Sequence, residues 1–402
     1  MKRIFVVPLA ILLLVALILG SCAKPAPAPA PTPAPSPAPT PAPKPTPAPP
    51  TEKEWVPPVP GMKPGEEDKY FTWTYAESSA RPKPPPGFES DPRENFFNEL
   101  EKRTQGRFKV KYAWGGIIGA PAEILAMVGA GVVEMGMTAG QPAAEFALTS
   151  PQGMGGFLTG DIATDEKIYH YCRTHPICTA QLTKQNLVYG WSMPFGANMP
   201  LFREGIKRME TVEDFKGLQF GSTPGALHLW ARELGMVPVN IAIFDYYEGM
   251  QKGMIDVCAL NYAALHLIFR LDEVMGSCVE VYPQGVSATP GYINKDSWDG
   301  LPQYIKDLWW EVYPTYFQEY NTRTRDSAAE LTKGVLREKG VDMYKLPPAE
   351  EDKVHAAAAP VWKEWAEEQA RYTSKELTTQ YLKDIIAYRD KIVGKPFTVY
   401  TP

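Results

Sequence analysis

The sequence predicts an α/β fold in which parallel strands alternate with helices and the folded chain forms two lobes. The segment Thr211–Tyr262 predicts strand, helix, strand, helix, strand, at lengths typical of a parallel α/β unit. A second alternation of strands and helices runs from Tyr70 to Gln141. The folded part spans about 330 residues, which is large enough for two lobes.

The Thr211–Tyr262 unit begins with a short capped turn. Thr211 followed by Asp214 predicts a helix N-cap with an acidic first turn, and Gly217 ends that turn. The short apolar segments after it predict buried strands. These predicted strands are 218–220, 238–243 and 254–259.

Two longer helices are expected within the same unit. Thr223 predicts the N-cap of the first, with Pro224 in its first position and Gly235 after its last residue. Asp245 and Glu248 predict a capping-box pair that opens the second.

The first alternation carries comparable signals. Tyr70–Ala76 alternates aromatic residues with threonine and predicts a strand, and Asp91-Pro92-Arg93-Glu94 predicts the start of a helix. Phe108–Trp114 predicts a strand with one solvated face. A helix from Pro121 and a strand over Val132–Thr138 follow.

Ligands of parallel α/β sheets bind beyond the carboxyl ends of the strands, where helix N-termini point. The turn Gly221–Gly225 is therefore the first place to expect a ligand. The alternative is an α/β core that holds no ligand.

The N-terminus predicts export. Met1–Cys22 places Lys2 and Arg3 before an apolar run, and its last four residues, Leu-Gly-Ser-Cys, fit a bacterial lipobox. Cleavage before Cys22 would leave a thiol for acylation and a lipid-anchored mature chain. The alternative is an uncleaved membrane anchor. Both place the body of the protein outside the cytoplasm.

Residues after Cys22 predict a linker. Ala23–Pro58 consists almost entirely of Pro, Ala, Thr and Lys, a composition that cannot bury a core and favours extended polyproline II. The formal net charge of the 402-residue chain is −5, and its body has no basic cluster. Nucleic acid is therefore not expected as a partner.

Three segments of this sequence resemble the solute-binding proteins of TRAP transporters. They are EDFKGLQF, ELGMVPVNIAIFDYYEGMQKGMID and GYINKDSWDGLP, and the similarity extends over Tyr70–Lys391. The resemblance implies a two-lobed, periplasmic-binding-protein-like α/β fold with a hinge and long C-terminal helices that pack on both lobes. The expected divisions are a signal peptide at 1–22, a linker at 23–65, lobe 1 at 66–195, lobe 2 at 196–288, and a return crossover with C-terminal helices at 289–402.

The sequence departs from this family at one position. The strand that begins after Gly217 usually ends in an arginine that clamps a substrate carboxylate, and Gly221 stands there in this chain. Two hypotheses follow. The solute is a carboxylate held by another arginine, with Arg81 or Arg203 preferred, or it is a neutral or aromatic compound.

Candidate ligand contacts come from both expected lobes. Loops after strands of lobe 1 supply charged and amide side chains, and lobe 2 supplies a helix N-terminus and neutral hydrogen-bonding groups. Each of these residues could equally be a solvated loop residue. The candidates are Glu77, Arg81, Gln141, Asn198, Gly221, Ser222, Thr223, Asn261 and Tyr262.

Four cysteines remain after Cys22, and an even number outside the cytoplasm permits disulfides. Cys172–Cys178 and Cys258–Cys278 are the possible bridges, although a large core does not need them. His170 and His175 lie among the first pair, but their spacing matches no common zinc site, so no metal is expected.

Enzyme signatures are absent from the sequence: there is no HExxH, G-x-S-x-G, P-loop or Rossmann fingerprint, and no cofactor is expected. The function expected from the resemblance is capture of a small organic solute and its delivery to TRAP membrane subunits. The alternatives are a sensory lipoprotein that uses the same binding cleft and, opposed by the missing motifs, a secreted hydrolase.

Overall fold

The computed structural model describes residues 55–120, 123–137, 155–282 and 286–402. The predicted signal peptide with its expected acylation site Cys22, the predicted linker up to residue 54 and the candidate contact Gln141 lie outside the described residues. Within these ranges, no helix combines the length and the apolar character needed to cross a membrane.

Lobe 1 is built on a five-stranded sheet of order β2-β1-β3-β10-β4. β1, β2 and β3 are parallel, and β10 runs antiparallel to both β3 and β4. The carboxyl end of β4 therefore lies at the same edge as those of β1 to β3. The strands are β1 (Phe71–Glu77), β2 (Phe108–Ala113), β3 (Met135–Met137), β4 (Leu187–Ala197) and β10 (Val286–Asn294).

Lobe 2 contains a six-stranded sheet of order β11-β9-β5-β8-β6-β7. β6, β7 and β8 are parallel, whereas β5 runs antiparallel to β8 and β9. The start of β5 thus lies beside the carboxyl end of β8. The strands are β5 (Met199–Arg203), β6 (Gln219–Ser222), β7 (Val237–Asn240), β8 (Val257–Leu260), β9 (Met275–Val279) and β11 (Asp342–Tyr344).

Helices cover these sheets and form the C-terminal part of the fold. The Asp91 side chain caps helix α1 by accepting the backbone N–H of Arg93, and Asp91 is the N-cap that the sequence predicts. The helices before the last crossover are α1 (Pro92–Arg103), α2 (Ile124–Gly129), α3 (Ile162–Thr174), α4 (Pro176–Lys184), α5 (Ala226–Glu233), α6 (Tyr246–Gln251) and α7 (Tyr262–Leu265). After it come α8 (Lys295–Asp299), α9 (Gln303–Tyr313), α10 (Asn321–Glu338), α11 (Pro348–Ala356), α12 (Ala358–Tyr372) and α13 (Lys375–Val393).

The chain passes between the lobes at several points. Asn198 alone separates β4 of the first sheet from β5 of the second. β10 returns the chain to the first sheet after β9. A π-helix over Pro314–Tyr320 joins α9, whose Trp309 belongs to the lobe 1 core, to α10, whose Leu336 belongs to the lobe 2 core.

Separate apolar cores stabilise the two sheets. Trp73, Phe96, Trp191 and Trp309 pack in the core of lobe 1. Leu336 belongs to the separate core of lobe 2. A third core joins helix α5 of lobe 2 to the C-terminal helices through Trp230 and Trp362, and it also includes Tyr169 of α3. The C-terminal helices thus contact elements of both lobes.

One predicted helix start is wrong. Helix α5 begins after Gly225 and not after Thr223, because Gly225 has φ 147° and ψ −164°, a conformation essentially restricted to glycine, which postpones the turn into the helix. Helix α6 begins directly after Asp245, as predicted, but the predicted capping box is wrong: Asp245 makes no side-chain capping bond, and a 3₁₀ turn over Ile243–Asp245 leads into the helix. The predicted N-cap at Thr211 with Asp214 in the first turn is confirmed, and the two residues also form a capping box over Val212–Phe215.

The four described cysteines are buried free thiols, so neither possible disulfide is present. Burial raises the pKa of Cys172 to about 12 and that of Cys278 to about 12. These thiols therefore act as small apolar core groups.

Candidate functional site

The carboxyl edges of the two sheets meet at Asn198. Ala197, immediately before it, ends β4, and Met199, immediately after it, pairs with Leu260 at the carboxyl end of β8. Both edges are the places where ligands of α/β sheets bind. The meeting of these edges therefore defines the candidate site.

A pair of buried amides occupies this meeting point. The Asn261 Nδ2 donates to Asn198 Oδ1 at 3.0 Å, and Asn261 Oδ1 accepts the backbone N–H of Ala264 at 3.1 Å, which caps α7. Asn198 is 7% exposed and Asn261 is 3% exposed. The amide pair links the crossover to α7, the helix that follows β8. Its uncharged amide groups can donate and accept hydrogen bonds to a polar ligand.

Tyr262 is the first residue of α7 and is mostly buried. Its hydroxyl donates to Glu280 Oε1 at 2.9 Å, and the Lys333 ammonium lies 5.1 Å from the centre of its ring. Burial raises the pKa of Tyr262 far above its ordinary value, so the hydroxyl remains a neutral donor.

The backbone at Gly221 leaves no room for a side chain. A Cβ atom there would lie 2.6 Å from Ile255 Cδ1 and 3.0 Å from Ile241 Cγ2. Apolar methyl groups therefore fill the space that a side chain would enter. Next to it, Ser222 is 2% exposed and its hydroxyl lies 3.2 Å from His228 Nδ1, and Thr223 is partly exposed.

Glu77 ends β1 inside a buried ionic network. Its Oε2 accepts from Arg93 Nη1 at 2.8 Å and from the Tyr75 hydroxyl, and its Oε1 accepts from the Ser79 hydroxyl at 3.1 Å. Burial raises the pKa of Glu77, and Arg93 and Tyr75 oppose that shift. The carboxylate is fully buried and has protein partners on both oxygens.

Arg93 joins this network to a second acid. Its Nε donates to Asp91 Oδ1 at 2.6 Å and its Nη2 to Asp91 Oδ2 at 3.0 Å, a bidentate pair. The guanidinium also lies 4.7 Å from the centre of the Trp114 ring. Burial opposes ionisation of Asp91, but Arg93 outweighs it and holds the pKa of Asp91 below its ordinary value.

The two arginines preferred from the sequence both have carboxylate partners. Arg81 makes a bidentate pair with Glu94, at 2.7 and 3.0 Å, and its side chain is 67% exposed. Arg203 pairs with Asp256 at 2.8 Å, immediately before β8, whereas Asn261 follows that strand. Arg203 thus lies about 15 Å from the carboxyl edge, at the opposite edge of the sheet.

Arg325 on α10 is a functional candidate that the sequence analysis missed. Its Nε donates to Asn321 Oδ1 at 3.2 Å, and its guanidinium carbon lies 4.3 Å from the centre of the Phe195 ring. Its Nη2 is buried and has no hydrogen-bond partner among the residues that the structure describes. The helical spacing of buried positions could have revealed it, because the buried face of α10 comprises Asn321, Thr324, Arg325, Ala328, Thr332 and Leu336.

A cavity of about 220 Å³ lies elsewhere, between α4 and the start of α13. Its lining is mostly apolar and includes Ile177 and Leu377, but none of the candidate contacts. Among the described residues, no group of three or more His, Cys, Asp or Glu side chains is arranged to hold a metal ion.

Comparison with known proteins identifies relatives of the chain. The profile of the family described as bacterial extracellular solute-binding protein, family 7, matches residues 89–369. No curated protein sequence matches the chain significantly.

Solved structures of several solute-binding proteins share the fold. A TRAP periplasmic solute-binding protein from Desulfovibrio salexigens is 18% identical, with a TM-score of 0.65, over 81% of this chain and 98% of its own. A TRAP solute-binding protein from Rhodoferax ferrireducens, in complex with copurified benzoate, is 17% identical, with a TM-score of 0.65, over 80% and 99%. A Bordetella pertussis receptor that binds pyroglutamic acid is 16% identical, with a TM-score of 0.63, over 78% and 99%.

Proposed function

Because the chain belongs to the bacterial extracellular solute-binding proteins of family 7, we propose that it captures a small organic solute between its lobes and delivers it to a TRAP-type secondary transporter. The observation that supports this proposal most strongly is the meeting of both carboxyl sheet edges at Asn198. A solute bound there would contact both lobes and thereby link their positions.

The work of such a protein is conformational and involves no chemical step on the solute. A solute that contacts both lobes favours the closed arrangement by its difference in affinity for the open and closed states. The transporter then recognises the closed form. The crossover at Asn198 and the helical passage from α9 to α10 are the segments whose backbone would absorb the motion.

The proposed solute contacts lie at the meeting edges. The amides of Asn198 and Asn261 would lend neutral hydrogen bonds, and Ser222, Thr223 and Tyr262 would add hydroxyl groups. Gly221 would present an apolar wall of isoleucine methyl groups. Gln141, at the expected exit of β3, remains a proposed contact from lobe 1.

Glu77 and Arg81 are not among the proposed direct contacts with the solute. Both already bind protein partners, Glu77 in the Arg93 network and Arg81 with Glu94. Either would contact solute only after exchanging such a partner. We therefore propose that Glu77 shapes the lobe 1 side of the cleft by fixing the end of β1.

The class of solute is proposed from the neighbours in the fold. Structures similar to this chain hold benzoate, orotic acid, β-D-glucuronate and pyroglutamate, each a small organic acid. We propose a small organic solute of comparable size for this chain. We also propose that Cys22 carries a lipid that tethers the protein to the outer face of a membrane.

Mass spectrometry of small molecules released from the purified, mildly denatured chain tests the proposal. We expect one organic solute in near-stoichiometric amount, and its return to the solute-free protein should raise the melting temperature. A solute present at one hundred times its Kd would add about 2.7 kcal/mol to the free energy of unfolding. Retention of no solute, with no stabilisation by a broad panel of organic acids, sugars and amides, would contradict the proposal.

A further inference from the structure

Arg325 is a buried cation whose hydrogen-bonding capacity the protein leaves partly unused. The residue is 6% exposed, and its Nη2 has no acceptor. A buried guanidinium normally has its donors paired, because an unpaired buried charge is costly. Burial lowers the pKa of Arg325 to about 10, and the side chain therefore remains positively charged at pH 7.

The groups around Arg325 cannot supply the missing acceptor. Asp91 is the carboxylate that attracts it, but Arg93 donates to both oxygens of that acid. Asn321 Oδ1 accepts from the Nε atom, and the Asn321 amide nitrogen donates to the Pro194 carbonyl. The Phe195 ring offers only its face to the guanidinium. Among the described residues, no atom accepts a hydrogen bond from Nη2, so a bound acid could supply this acceptor.

Arg325 lies beside elements that lead to the meeting of the sheet edges. Phe195, which its guanidinium covers, lies two residues before the end of β4. Asp91 and Arg93 are tied to Glu77 at the end of β1. Helix α10 itself packs on α7, which follows Asn261. Arg325 is thus next to elements that lead to the carboxyl ends of both sheets.

We propose that Arg325 binds the carboxylate of the solute, from the inter-lobe helix α10, and so takes the role that an arginine at the position of Gly221 has in related proteins. This inference rests on the proposed solute-binding function and names its substrate class. The solute class is a small organic acid, whose carboxylate would accept from the unpaired Nη2 of Arg325.

Pairs of acids and their primary amides test this inference. Calorimetry would compare benzoate with benzamide and pyroglutamate with its primary amide, together with any solute released from the purified chain and its amide. A charge-assisted pair with Arg325 predicts that the acid binds about 10- to 100-fold more tightly than its amide. Arg325→Met should bring this ratio close to one.

Arg270→Met is the matched control, because Arg270 is an exposed arginine already paired with Glu273. It should leave the acid-to-amide ratio unchanged. A purely structural role of Arg325 would instead weaken acid and amide equally in Arg325→Met. If Arg325→Met does not fold, the acid-to-amide affinity ratio of the unaltered chain still tests whether the carboxylate is recognised. The ratio of Arg325→Lys then tests whether the guanidinium of Arg325 recognises it.

The outcomes separate this inference from the function on which it rests. Binding of a neutral solute, or of acid and amide within about threefold of each other, overturns the role of Arg325 and leaves the solute-binding function standing. Loss of the ratio in Arg81→Met, with its retention in Arg325→Met, also overturns that role. Binding of no compound by the unaltered chain contradicts both.

Discussion

Replacing Arg93 with methionine should sharply destabilise the fold, because it strips two buried acids of their cation. The side chains of Arg93, Glu77 and Asp91 are 2%, 0% and 3% exposed. Removing one partner of a buried ion pair costs about 3–5 kcal/mol, since the remaining charge stays buried without compensation. Here two carboxylates lose their partner, so Arg93→Met should lose at least that much.

The effect should also depend on pH. In the unaltered chain Arg93 holds the pKa of Asp91 low, so Asp91 contributes stability above its unfolded pKa that is lost only as pH falls through the lower folded value. Without Arg93, burial dominates and raises the folded pKa of both acids. Stability of the variant should then decline as pH rises, and the difference from the unaltered chain should be larger at pH 8 than at pH 5.

Urea unfolding followed by tryptophan fluorescence measures both effects. Arg81→Met is the control, since its partner Glu94 pairs with an exposed arginine and exposed pairs contribute little to stability. The control should match the unaltered chain within the error of the fit. A loss of less than about 1 kcal/mol in Arg93→Met would refute the assignment of Arg93 as the cation that supports the end of β1.

Two further substitutions test the packing and the electrostatics around the cleft. Burial raises the pKa of Glu166 to about 7, although Tyr313 donates to it at 2.5 Å. The stability contributed by neutral Glu166 is therefore present below its unfolded pKa and lost as pH rises through 7. The free energy of unfolding of the unaltered chain, measured in urea, should decline by on the order of 3 kcal/mol between pH 5 and 8 through this group, and Glu166→Gln should abolish that decline. Gly221→Ala should cost about 1–3 kcal/mol through contact with Ile255 Cδ1, and Ile255→Val, which removes that atom, should restore part of the loss; full stability of Gly221→Ala alone would contradict the observed packing.

Features of the fold that depend on neighbouring residues were predictable from the sequence. Asp91 caps α1, and Thr211 and Asp214 form a capping box, because each motif is complete within a few residues. The predicted alternation of strands and helices is also present in the structure, because the periodicity of apolar residues along the sequence indicates which face of each element is buried. The start of α5 was mispredicted because the backbone conformation of Gly225 outweighs the propensity of Thr223 and Pro224.

Features of the site that depend on distant contacts were not predictable. Glu77 follows a strand and was expected in an open loop, but Arg93, sixteen residues later, buries its carboxylate. Arg325 reaches Phe195 across 130 residues, and no local motif marks it. The missing side chain at Gly221 was visible in the sequence, whereas the isoleucines that fill its space became evident only from the structure.

Hydrogen–deuterium exchange of the purified chain, with and without its released solute, tests most directly whether the solute binds where the two sheet edges meet. We expect added protection at the Asn198 crossover, in the Ser222–Gly225 turn and in α7 after Asn261, with no change near Arg203 and Asp256 at the opposite edge. Protection confined to the cavity lined by Ile177 and Leu377, or no change anywhere, would contradict the account.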